Sequence, residues 1–349
     1  MSLLSAFISH QIWLQRNASH EVNELEPFLE QMRDEVRAKV LGFGDDSRTR
    51  ARLIVMLREL EDVLYGITGE WSAALQTDLK ELAAYESKWT AETLAQNVTA
   101  NFTTPTPEQV WSAVKFNPLA LDHKPVDFVQ LLASWEDTEI SRLVTGVKSG
   151  FVQGMTTREI VKQVIGPGGL ADVSARNAAT VVRTALNHVS TQAKEITYQK
   201  NADVVIGYEL VVTLDSRTSA ICRGWPQGKV YKPTDKFRPL PPFHPNCRTT
   251  TAPAVSKDFD FLDAGAKRAA RGADGGTQVD ANTSYYQFLR QQPAWFQDEA
   301  LGPVRGKIFR NAGLSPEEFR AASVDGFGRP LTLKEMADVD SRVAEYLKQ

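Results

Sequence analysis

Cysteine and histidine are scarce in this chain: two and five among 349 residues. Two cysteines cannot build a disulfide scaffold, and the count fits a protein made in the cytoplasm. No run approaches the roughly 18 uninterrupted apolar residues that a membrane span requires. The opening stretch is apolar, but no Lys or Arg precedes it, and His10, Gln11 and Gln15 interrupt it. No small-residue cleavage site follows, so it reads as a helix start and not as a signal peptide. A Walker loop, a G-x-G-x-x-G turn and the H-x-E with P-C-x-x-C pair of zinc deaminases are all missing. The net charge of −3 gives no global reason to expect nucleic acid, so any such surface must be local. What is present is ordinary globular composition, 42% hydrophobic and 24% charged, in a chain long enough for two or three substructures.

The first hundred residues have helical periodicity. Val22, Leu25, Leu29, Met32, Val36 and Val40 recur at steps of three and four, on one helix face. After a break at Gly42–Asp46, a second stripe runs Leu53, Leu57, Leu60, Leu64, Ile67, Trp71, Leu75 and continues through Leu79, Leu82 and Trp89. Two long antiparallel helices are predicted over 1–105. Thr106-Pro-Glu-Gln109 and Thr156-Thr-Arg-Glu159 have the form of capping boxes, and Gly166-Pro-Gly-Gly169 stops a helix. An amphipathic helix follows on Ala175, Ala179, Val182, Leu186, Val189, Ala193 and Ile196.

The period then changes. Tyr208–Leu214 is rich in β-branched residues and reads as a strand, with Lys229–Tyr231 and Arg248–Val255 as weaker strands around a proline-dense loop. Residues 106–263 are therefore predicted as an α+β core, helices first and a small antiparallel sheet after them. Residues 264–284, rich in small residues and without an apolar stripe, read as a flexible linker. A helical tail over 285–349 opens on an aromatic cluster, with helix starts at Ser315-Pro-Glu-Glu318 and Thr332-Leu-Lys-Glu335. The expected fold class is α+β and mainly α-helical, with an extended C-terminal tail.

Both cysteines fall in the most informative stretch, Asp215–Arg248. Zinc favours thiolate and imidazole, and His244-Pro-Asn-Cys247 has the two-residue separation of a metal knuckle. Cys222 could close the site from the far end of the loop, and Asp215 is the nearest candidate for a fourth ligand. The same residues also suit a Cys222–Cys247 disulfide or two buried free thiols, and spacing leaves all three open. The stretch carries seven Lys and Arg against two Asp. Lys267, Arg268 and Arg271 add charge in the linker, giving candidate contacts to DNA without sequence preference. Tyr285, Phe288, Trp295 and Phe296, just after the linker, are candidate anchors for a partner protein; the alternative is that they pack on their own domain.

The order of these features resembles the Mu F-like family of phage head morphogenesis proteins. It runs from a helix with Arg183-Thr184 and a strand to Leu214-Asp-Ser-Arg-Thr and Cys222. Gly228-Lys-Val-Tyr, Pro241-Pro-Phe-His-Pro-Asn-Cys-Arg248 and a closing strand follow. Tyr285-Tyr-Gln-Phe-Leu, Gln292-Pro-Ala-Trp-Phe-Gln and Leu301-Gly-Pro-Val-Arg-Gly-Lys resemble the C-terminal extension of many members. Ala185 stands where the family often has an acidic residue after its arginine-threonine pair. The resemblance implies a minor head protein, not an enzyme, made in the host cytoplasm and located in the virion head near the portal vertex. Its partners would be the portal protein and/or the major capsid protein, with contact to packaged DNA, and its role would lie in capsid assembly and in DNA packaging or ejection. The competing reading is an HNH-like metal-dependent nuclease or another phage-encoded DNA-processing enzyme. Such a nuclease needs a second histidine, and the downstream half offers only His188 beside His244.

Overall fold

The computed structural model describes residues 2–44, 49–256 and 265–348. Most of its helices begin where a side-chain oxygen satisfies a free N–H of the first turn, whereas those that begin at Glu26, Leu170, Ala294 and Pro303 start without one. Ser2 caps α1 (Leu3–Glu24) and Thr49 caps α3 (Arg50–Asn97). Three helices stand where two were expected, because the Val22–Val40 stripe is broken at Leu25. Pro27 sits in the first turn of α2 (Glu26–Phe43), and proline is tolerated at a helix start but not inside one. The second stripe is buried along α3 from Leu57 to Leu82, as its spacing predicts.

The Thr106 and Thr156 capping boxes form, opening α4 (Pro107–Phe116) and α6 (Thr157–Ile165). Between them lie a short hairpin, β1 (Leu119–Leu121) with β2 (Lys124–Val126), and α5 (Phe128–Val152). The spine of the molecule is α7 (Leu170–Lys200), which packs against α1, α3, α4 and α5. A three-stranded antiparallel sheet follows. Its centre is β3 (Val205–Val211), flanked by β4 (Val230–Tyr231) and β5 (Thr250–Val255). Gly207 is needed there, since a Cβ would meet the Tyr231 backbone oxygen at 2.5 Å. The one-turn helix α8 (Ala220–Arg223) lies between β3 and β4.

Residues 267–280 correct the linker expectation. They form an antiparallel hairpin, β6 (Lys267–Gly272) with β7 (Gly275–Asp280), and the Arg271 N–H donates to the Leu214 carbonyl at 2.8 Å. Ala266, Arg268 and Ala270 are buried while Lys267, Ala269 and Arg271 face solvent. The pattern has period two, but alanine supplies most of its apolar half and so it does not register as a stripe. The expected boundary at Asp263 and residue 264 lie outside the described residues.

The tail consists of α9 (Tyr285–Arg290), α10 (Ala294–Leu301), α11 (Pro303–Asn311), α12 (Pro316–Ser323), α13 (Leu333–Val339) and α14 (Ser341–Leu347). Capping boxes at Ser284, Ser315 and Thr332 start α9, α12 and α13. These helices join one of two hydrophobic clusters. The first cluster gathers the faces of α2 to α7. The second brings together Leu3 and Phe7 of α1, Tyr208 and Leu210 of β3, and Phe288, Phe309 and Phe319 of the tail. Both α1 and α7 enter both clusters. Where they cross, the interior is polar: His10, Glu86, Ser190 and Lys194 are all buried. His10 Nε2 and Ser190 Oγ each bond a carboxylate oxygen of Glu86. Lys194 Nζ lies 3.7 Å from Glu86 Oε2 and donates to Thr250 Oγ1 at 3.0 Å. No helix among the described residues is long and apolar enough to cross a membrane.

Candidate metal centre

Cys222 is positioned by α8, whose N-cap is Ser219; the Cys222 N–H donates to Ser219 Oγ at 3.2 Å. His244 and Cys247 come from the loop before β5. A turn brings them together, with the Cys247 N–H donating to the His244 carbonyl at 3.1 Å and Asn246 at φ 58°. Asparagine is among the few residues other than glycine that adopt that region readily. The loop is pinned to α7 by a stripe of polar side chains. Thr184 Oγ1 accepts from the Asn246 N–H at 3.0 Å, and Asn246 Nδ2 donates to Thr180 Oγ1 at 3.1 Å. Asn187 Nδ2 donates to the carbonyls of Cys247 and Thr249.

The expected ligands Cys222, His244 and Cys247 converge. Cys222 Sγ lies 3.1 Å from His244 Nε2 and 3.5 Å from Cys247 Sγ, and the three donor atoms all fall within 4.8 Å of one another. Both cysteines are free and buried. Two thiolates and an imidazole around a tetrahedral zinc would stand about 3.8 Å (S···S) and about 3.5 Å (S···N) apart, given bonds of about 2.3 and about 2.0 Å. The two distances from Cys222 Sγ fall only a few tenths of an ångström short of these values, and two thiols with an imidazole are a donor set that fits that ion. The second ring nitrogen, Nδ1, lies 2.8 Å from the Pro245 carbonyl, leaving Nε2 to face the sulfurs. Burial alone would raise the Cys247 thiol, but its contacts with Cys222 and His244 reverse this and hold it well below its ordinary value.

Asp215 does not join them. Its carboxylate is held bidentate by Arg248, with Nη2 at 2.8 Å from Oδ1, and it also accepts from Thr218 Oγ1 at 3.0 Å and the Arg217 N–H at 3.1 Å. Burial works against its charge, yet the Arg248 guanidinium keeps the carboxyl below the usual carboxylate range. Asp215-Ser-Arg-Thr218 is thus a clamp on the strand that follows Cys247. Among the described residues only three ligand side chains meet.

The other expected site residues divide between surface and interior. Lys267 and Arg271 are exposed, whereas Arg268 is 2% exposed, with Nη1 at 3.1 Å from Gln227 Oε1 and Nη2 bonded to the Val212 carbonyl. It braces the hairpin on β3 and cannot reach DNA. Tyr285, Phe288 and Phe296 are buried, and Tyr285 Oη donates to the Asp215 carbonyl at 3.0 Å. These aromatics pack on their own domain, and of the four only Trp295, 58% exposed, faces solvent. In the stretch 215–248, Arg223 is buried, Arg238 pairs with Glu195 and Arg248 with Asp215, which leaves Arg217, Lys229, Lys232 and Lys236 exposed. His188 stands apart from the cluster: its Nε2 lies 2.9 Å from the Val114 carbonyl, and burial pushes its pKa down to about 4.

Of the polar stripe Thr180, Thr184 and Asn187, only Thr184 is among the residues singled out in the sequence, as half of the arginine-threonine pair. The signal of the stripe was there, since steps of four and three put the three side chains on one face of a helix read for its apolar residues.

Neither the curated proteins nor the solved structures yield a match to the chain. A family match does exist, to the family described as Phage Mu protein F like protein, over residues 141–252. The matched segment runs from the middle of α5 to the middle of β5, and it contains Cys222, His244, Cys247 and the whole of α7 that braces them. Over residues 141–252 the chain is therefore similar to the family described as Phage Mu protein F like protein.

Proposed function

We propose that the chain is a structural minor head protein of a tailed phage, acting in capsid assembly at the portal vertex and in DNA packaging or ejection, and that it is not an enzyme. One observation carries the reading: the matched segment coincides with the part of the fold in which α7, the sheet and the Cys–His–Cys loop brace one another. That arrangement is a scaffold, built of side chains that hold backbone. The portal protein and/or the major capsid protein are the partners it calls for. Exposed Lys267 and Arg271 are available for non-specific contact with packaged DNA. The test is peptide mass spectrometry on purified virions combined with gold labelling. The chain is expected in a few copies per particle, at a single vertex. Particles that assemble, package and infect normally without it in the virion would overturn the reading.

We also propose that Cys222, His244 and Cys247 hold one structural zinc ion, supplying three of its four ligands. The ion would tie α8 to the loop before β5 without any chemistry at a substrate. Elemental analysis of protein purified without a histidine tag should give one zinc per chain, and Cys222→Ser should remove it. At free zinc about 1,000-fold above its Kd, chelation should cost about 4 kcal/mol of stability. A metal content near zero, with melting unchanged by chelator, would rule the ion out.

A further inference from the structure

A cleft of about 570 Å³ opens between the His244–Arg248 loop, α1 and α7. It shares the loop and Asn187 with the scaffold described above, and the side chains of Gln11, Leu14, Arg183, Leu186 and Arg217 line it without taking part in that scaffold. No aspartate or glutamate lines it, although the chain as a whole is acidic. Three arginines do line it, and they are not equivalent. Arg248 is already neutralised by its bidentate pair with Asp215. Arg183 and Arg217 are exposed, and neither guanidinium makes an ion pair or hydrogen bond among the described residues. Two unpaired guanidinium groups facing one cavity select an anion, and the planar fork of arginine suits a carboxylate or a phosphate.

Gln11 narrows the choice. It is 6% exposed, its Nε2 donates to the Arg248 carbonyl at 3.3 Å, and its Oε1 has no donor among the described residues. A buried acceptor left without a donor is costly, so an occupant that brings an N–H or O–H as well as negative charge, and meets Oε1 through a small turn of the Gln11 side chain, is favoured. A phosphodiester backbone brings charge and no donor, whereas a peptide brings both, from its carboxylates and its amides. Leu14 and Leu186 form an apolar part of the lining, which suits side-chain methylenes better than a sugar-phosphate strand. Concavity points the same way, because duplex DNA is a broad convex surface and this opening is small.

We propose that this cleft is a docking site for an extended acidic segment of a partner protein, whose carboxylates pair with Arg183 and Arg217 and whose backbone amide donates to Gln11. The inference stands on the cleft alone and does not rest on the reading as a head protein. It is tested with the full chain and two labelled probes at low salt, read by fluorescence anisotropy. One probe is a blocked octapeptide in which Asp and Glu alternate with Ala; the other is a 12-base-pair duplex. The peptide should bind, and Arg183→Glu with Arg217→Glu should weaken it at least tenfold. Both arginines are exposed, so the double variant should melt as the parent does, and Gln11→Leu, which removes the acceptor, gives a second reading of the same site. Lys267→Ala with Arg271→Ala should leave peptide binding unchanged. Peptide binding that is absent, or that survives the double arginine change, overturns the proposal. So does a duplex that binds more tightly than the peptide through the same two arginines, which would make the cleft a nucleic-acid groove.

Discussion

Glu86→Ala should cost about 3–5 kcal/mol of stability, a large share of the roughly 5–15 kcal/mol that holds a domain folded. The carboxylate is fully buried, and burial alone would raise its pKa; Lys194 and His10 reverse that and keep it ionised. Removing it leaves the Lys194 ammonium, itself 0% exposed, without a counter-charge, and takes the partner from His10 Nε2 and Ser190 Oγ. Lys194 would then have to lose its proton or draw water into the crossing of α1, α3 and α7. Replacing both members, Glu86→Leu with Lys194→Met, should recover most of the loss, because apolar groups of similar volume need no pairing. Urea midpoints of the two single variants and the double variant measure this directly. A Glu86→Ala chain within 1 kcal/mol of the parent would mean that the carboxylate is not the hub described.

That hub shows where sequence reading stops. The stripe on α3 was legible because apolar side chains at helical spacing have one use, and four of the five capping boxes were legible because serine or threonine three residues before Glu or Gln satisfies two free N–H groups. The three strands of the sheet were legible from β-branched residues. The meeting of Cys222, His244 and Cys247 was legible because soft donors at knuckle spacing are rare. Glu86 was not, since a glutamate among Glu81, Lys88 and Glu92 on a long helix looks like solvated surface. Only its distant partners reveal it: His10 lies 76 residues before it and Ser190 lies 104 after. The hairpin over 267–280 failed for a different reason, because alanine is small enough to be read as spacer when it is in fact the buried half of a strand. Asp215 failed as a ligand because Arg248, 33 residues on, had the stronger claim on its oxygens.

A chain cut after Asp263 should not leave a folded sheet behind, contrary to what a tethered tail would allow. Tyr285, Tyr286, Phe288, Leu289, Phe309 and Phe319 are all buried in the cluster that also covers Tyr208, Leu210 and Leu214. At about 1.5–3 kcal/mol for each large apolar side chain left uncovered, Tyr208, Leu210 and Leu214 alone would cost the remaining chain up to about 9 kcal/mol. Arg223 would also lose the Ala300 carbonyl, and Asp215 the Tyr285 hydroxyl. Hydrogen exchange is the appropriate measurement. Amides of β3 and β5 should exchange freely in the truncated chain while those of α3 stay protected within the first cluster. Protection of β3 equal to that in the full chain would show that the tail is dispensable to the sheet.

Ser5 of α1 donates from Oγ to the Lys267 carbonyl at 2.9 Å, a contact spanning 262 residues, and Leu3 and Phe7 beside it share a cluster with Phe309 and Phe319. During synthesis the faces of α2 to α7 can close on one another early, since their partners are near in sequence. The first two turns of α1 cannot. Trp89 and Tyr198 can flank Phe7 once α7 has been made, but the rest of the cluster, Phe309 and Phe319 among it, follows only after the ribosome has released more than 300 residues. The cluster around the start of α1 is thus completed only at the end of synthesis, and until then part of its apolar surface is open to chaperones and to other nascent chains.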